Sequence, residues 1–187
     1  ASVWNFCMSN LNQPKPWLSV QLPPGSSVSF VDVYPRQDAG QRLLSAFEVW
    51  VGDAAGEPSV AGGMVLCGSM TAAAALGPFT VTCGSLLSGS YVTVVLPGLL
   101  RTLALSEVSV HGIELNQPPR LPPPPPQPPS PPPPSPSPPP DPAIPSLRAA
   151  ISSTYPATAF PGHDFGAAQC IDGTIGTASL WPVGASN

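Results

Sequence analysis

From Pro118 to Pro145 the chain carries 19 prolines in 28 residues. No other feature constrains its fold as strongly. Proline fixes φ at about −65° and has no N–H, so this stretch can enter neither a helix interior nor a central strand. Polyproline II is what remains, a left-handed helix rising about 3.1 Å per residue. Over residues 116–145 the sequence therefore predicts a semi-rigid rod spanning roughly 90 Å. The plain reading is a stalk that holds two folded segments apart. The other reading, a docking ligand for SH3-like domains, has PxxP in its favour. No Lys or Arg lies between 121 and 147, where such ligands usually place a cation.

The segment before the rod reads as all-β. WLSVQLP (17–23), SVSFVDVYP (27–35), LLSAFEVWVGD (43–53), GGMVLCG (62–68), GPFTVTCG (77–84), SGSYVTVVLPG (88–98) and LRTLALSEVSVHGIEL (100–115) are short and rich in Val, Thr or aromatics, with Gly or Pro at their bounds. That spacing predicts an antiparallel sandwich or barrel. In the second strand, Val28, Phe30 and Val33 or Tyr34 are candidates for the buried face. MTAAAALG (70–77) is the one helical candidate, and it is too short to be stable alone. Residues 146–187 are too few to bury a core of their own.

Charge narrows the function classes. Six Lys+Arg, a net charge of −4 and 9% charged residues leave no electrostatic footprint for nucleic acid or anionic lipid. No apolar run reaches the 18 or so residues of a membrane span. So few surface charges point to glycans as the source of solubility. The four cysteines, Cys7, Cys67, Cys83 and Cys170, form no CxxC pair, and the only histidines are His111 and His163. Disulfides in an oxidising compartment fit better than zinc. No nucleophile motif and no phosphate loop are present, so no enzyme activity is expected. Trp181, followed by Pro182, is a candidate to pack on the proline face of a neighbouring rod.

The order and spacing of VWNFC, PKPWLSVQLP, VSFVDVYPRQDAGQRLLSAFEVWVGD, the CG…GPFTVTCG pair, GSYVTVVLPG and LALSEVSVHGIEL resemble the discoidin-like (coagulation-factor type C) β-sandwich, its fucose-binding lectin branch above all. RAAISSTYPATAFPGHDFGAAQCIDGTIG (148–176) is similar to the opening of that same domain. The resemblance implies that residues 1–115 are the C-terminal two-thirds of one sandwich, that 116–145 are the rod, and that 146–187 are the N-terminal third of a following sandwich. It further implies a tandem array with a repeat near 187 residues. It pairs Cys67 with Cys83, and Cys7 with the Cys170 of the preceding unit. An Asn187-Ala-Ser junction between repeats would make Asn187 an N-glycosylation site.

The same branch implies a sugar site and a structural calcium. Arg36, Asp38 and Arg42 stand where its sugar-binding Arg-x-Asp and second cation would be, and guanidinium groups suit sugar hydroxyls. The alternative for these three is a local ion pair that fixes the loop. Asp38 to Arg42 is one residue shorter than in the family, the family's His falls on Ser9 or Asn10, and its adjacent cysteines fall on Ala39-Gly40. The calcium positions match Asp172, Thr174 and Glu107, a thin set against the six to eight oxygens that Ca²⁺ takes. The rod resembles the hydroxyproline-rich glycoproteins of volvocine green algae and plants, including pherophorins, cell-wall proteins, agglutinins and mastigoneme proteins. That resemblance implies hydroxylation and O-glycosylation with arabinose or galactose. The sites would be Pro122, Pro123, Pro124, Pro125, Pro126, Pro128, Pro129, Ser130, Pro131, Pro132, Pro133, Pro134, Ser135, Pro136, Ser137, Pro138, Pro139 and Pro140. Implied partners are other copies of the protein and other extracellular glycoproteins. The expected role is a structural repeat of a fibre or matrix; a stalked lectin-type module is the alternative.

Overall fold

A computed structural model describes residues 6–36, 42–72, 77–114, 143–144, 148–154 and 166–171. The rod positions and Trp181 lie outside these. In chain order the strands are β1 (Cys7–Met8), β2 (Trp17–Gln21), β3 (Ser26–Pro35), β4 (Ala46–Gly52), β5 (Val65–Thr71), β6 (Phe79–Ser88), β7 (Tyr91–Val95), β8 (Ala104–Glu114), β9 (Ala143–Ile144) and β10 (Arg148–Ile151), followed by a 3-10 turn at Ala167–Cys170. They form two antiparallel sheets. One runs β1-β8-β3-β6, with β9 added on β8; the other runs β10-β2-β7-β4-β5.

Alternation in the strands builds the core. Leu18 and Val20 of β2, Phe47, Val49 and Val51 of β4, and Val92 and Val94 of β7 meet Val28, Val31 and Val33 of β3 and Val108 and Val110 of β8, all of them buried. Inward faces of this kind are what hold two sheets together. A β-bulge between Val28 and Phe30 resets the alternation in β3. As a result Val31 and Val33 turn inward, and Phe30 and Tyr34 lie on the outer face instead of the buried one. The helical candidate is not a helix where it is described, since Met70 and Thr71 end β5 and residues 73–76 lie outside the described residues.

Residues beyond the proline-rich stretch fold onto the same sandwich. Arg148–Ile151 pair in register with Gln21–Leu18, and the Ser152 amide donates to the Trp17 carbonyl at 2.8 Å. The Ser152 and Ser153 hydroxyls accept from the amides of Trp17 and Asn10 at 3.1 and 3.0 Å. Ala149, Ile151, Ala167 and Ile171 pack against the core. The sequence reading assigned this segment to a following domain and the Cys7–Cys170 bond to neighbouring repeats. In the structure, Cys7 and Cys170 are joined within one chain, 163 residues apart. The physical reason is where the proline-rich stretch begins and ends: β8 stops at Glu114, and Ala143 pairs with His111 three residues earlier on that strand. Both ends of the stretch therefore lie at β8, which is not the geometry of one straight rod, and its far end is not carried away to another domain. The second bond, Cys67–Cys83, staples β5 of one sheet to β6 of the other.

Candidate functional site

Of the sugar site expected in the loop after β3, Arg36 and Arg42 are among the described residues. Arg36 is 8% exposed. Its guanidinium lies over the Phe6 ring, 3.9 Å from the centroid, and Nη1 approaches the Met8 sulfur at 3.7 Å. Cation–π contact of this kind draws the group into packing. Phe6 and Met8 flank Cys7, and their alternation in NFCM was the one signal that would have found them. Arg42 is exposed in a short turn, and Asp38 lies outside the described residues. Ser9, at the family's His position, is fully buried. Its hydroxyl accepts from the Leu103 amide and donates to the Asn10 carbonyl, both at 3.0 Å, so it serves the backbone.

Of the expected calcium set, Glu107 alone is described; Asp172 and Thr174 are not, and neither is Asn187. Glu107 is 5% exposed and faces Tyr34 across the β3–β8 pair. Burial, then the Asp32 and Glu107 carboxylates, push the Tyr34 hydroxyl above its ordinary value. Among the described residues no group of three or more His, Cys, Asp or Glu converges.

A polar cluster that sequence reasoning passed over lies on the outer face of the β3–β8 pair. Phe30 and His111 stack at 4.3 Å and 7°, His111 Nε2 lies 3.3 Å from Asp32 Oδ2, and Thr80 donates to Asp32 at 2.5 Å. The cross-strand register sets all of it, because Phe30 opposes His111 and Asp32 opposes Thr80. An acid and an imidazole are close here, but Thr80 donates to the acid and not to the imidazole. The arrangement is not a relay that would activate a nucleophile.

No family model matches the chain, and no curated protein matches it. Among solved structures it is similar to a fucolectin (F-type lectin) from the serum of striped bass, Morone saxatilis, with 29% identity and a TM-score of 0.51. The match covers 58% of this chain and 36% of the fucolectin chain, so it spans about a third of that protein's length. The fold is thus an all-β sandwich of the kind seen in a lectin.

Proposed function

We propose that this chain is a structural module of an extracellular glycoprotein fibre or matrix of the hydroxyproline-rich type, such as a volvocine cell wall or a flagellar mastigoneme. Its Pro/Ser-rich stretch acts as a glycan-bearing element, and its sandwich makes the lateral contacts. The observation that carries this reading is the position of the stretch. Eighteen prolines lie between Leu115 and Ala143, in the stretch that connects β8 to β9 within a sandwich closed by two disulfides. Two disulfides and no free cysteine among the described residues suit an oxidising, extracellular setting. A proline stretch can enter neither a helix interior nor a central strand, so its use lies in what is attached to it.

Mass spectrometry of the tryptic peptide Leu121–Arg148 from native material tests this. The expected result is one-oxygen steps on proline with ladders of pentose or hexose. A bare, unmodified peptide would sink the reading.

A second reading, a lectin-type module with Arg36, Asp38 and Arg42 at its site, draws on the similarity to the fucolectin. A glycan array separates the two. Retention of fucosylated glycans, abolished by Arg42→Ala, would favour the lectin. An array with no such signal favours the structural module.

A further inference from the structure

We infer that the outer face of the β4–β5 pair carries a binding pocket for a neutral sugar residue, lined by residues other than Arg36 and Arg42. A depression of about 290 Å³ opens there, lined by Ala46, Glu48, Ser69, Met70, Thr71 and Pro97. That is just under the roughly 300–1,000 Å³ of sites for drug-sized ligands, which suits a single ring. The register explains the lining: Ala46 opposes Thr71 and Glu48 opposes Ser69, so alternate residues of two neighbouring strands share one face.

The chemistry of the lining is mixed in the way a sugar requires. The Glu48 carboxylate only accepts, whereas the exposed Ser69 and Thr71 hydroxyls can donate or accept, so the three can read adjacent sugar hydroxyls. Ala46 and Pro97 supply an apolar wall for the C–H face of a ring, while Met70, opposite Phe47, packs toward the core. The site is also held in place. The Trp50 indole N–H donates to Glu48 Oε2 at 2.8 Å, which orients the carboxylate and leaves Oε1 for a ligand. Arg101 donates to the Pro97 carbonyl at 2.9 Å and to the Ala46 carbonyl at 3.1 Å, and it also bonds the Ser45 hydroxyl, tying two walls together from behind. No cation lines the depression. The neighbouring Lys15 is paired with Glu57 at 2.8 Å. An anionic sugar or a phosphate would meet the Glu48 charge, and the nearest cations are already engaged, Arg101 with the Pro97 and Ala46 carbonyls and Lys15 with Glu57.

The test is an amide and indole NMR titration of the whole disulfide-bonded chain with methyl glycosides of galactose, fucose and arabinose, and with N-acetylneuraminate as the acidic probe. The expected result is saturable, millimolar-range shifts with at least one neutral glycoside at Glu48, Ser69–Thr71 and the Trp50 indole, and none with the acid. Glu48→Ala should weaken binding about tenfold or more, as loss of a charge-assisted hydrogen bond does. Thr71→Val, on the exposed edge strand, gives a second reading if the first variant is unstable, and it should weaken binding several-fold. No saturable shift with any neutral glycoside, or shifts that gather at Arg36 and Arg42 instead, would overturn the inference.

Discussion

Replacing Cys7 and Cys170 together by alanine is expected to cost the sandwich about 3–5 kcal/mol, read as a lowered urea midpoint. The bond joins residues 163 apart. In the chain-entropy account, a longer closed loop restricts the unfolded chain more, so its loss is felt more. Cys170 is also fully buried, beside the Leu105 carbonyl at 3.2 Å, and it anchors the 3-10 turn that packs beside β10. Without it, the strand filling the β2 edge is held by backbone pairing, the Ser152 and Ser153 hydroxyls and the packing of Ala149 and Ile151. Cys67→Ala with Cys83→Ala removes a bond that spans only 16 residues. It should cost less, nearer about 3 kcal/mol. Equal losses for the two double variants would mean that the longer loop is not what the first bond restrains.

Gly112→Ala should be severe for a one-carbon change, at about 3 kcal/mol or more. Gly112 sits opposite Val28, next to the bulge that resets β3. An added Cβ would overlap the Ser27 carbonyl oxygen and come within 2.9 Å of its carbon and 3.0 Å of Val28 Cα. These are backbone atoms of a central strand, so no side chain can swing aside to make room. Gly84→Ala is the control, since nothing lies within 4 Å of a Cβ there, and it should change stability by less than about 0.5 kcal/mol. Thermal or urea unfolding of the two variants measures the contrast. A mild effect at Gly112 would mean that β3 and β8 are not registered as described.

The strands were legible because their alternation and their Gly/Pro bounds are local. Seven sequence segments between Trp17 and Leu115 contain β2 to β8, with ends shifted by a few residues. What was not legible depends on contacts between distant parts of the chain. Val28, Phe30 and Tyr34 share a face in an ideal strand. One extra residue at the bulge separates them, and nothing in SVSFVDVYP marks it. The proline-rich stretch misled the reading for a related reason: its stiffness was visible, whereas the pairing of Ala143 with His111, which fixes where it ends, is a tertiary fact. At the candidate sites, an Arg-x-Asp pattern does not reveal that Phe6 and Met8 take up the first arginine. The Glu48–Trp50 pair was within reach of the sequence, because two residues apart on a strand share a face. Ser69 and Thr71 come to the same face only through the β4–β5 register.

The central structural claim is that one chain completes its own sandwich, with residues before and after the proline-rich stretch joined by Cys7–Cys170. Oxidative refolding of an equal mixture of unlabelled and nitrogen-15-labelled chains tests it most directly, followed by trypsin and mass analysis of the peptide Ala1–Arg36 bridged to Ala149–Asn187. Bridged peptides with both halves carrying the same label are the expected result. Bridged peptides that mix labels, approaching half of the total, would contradict the claim and show that each sandwich is completed by another copy.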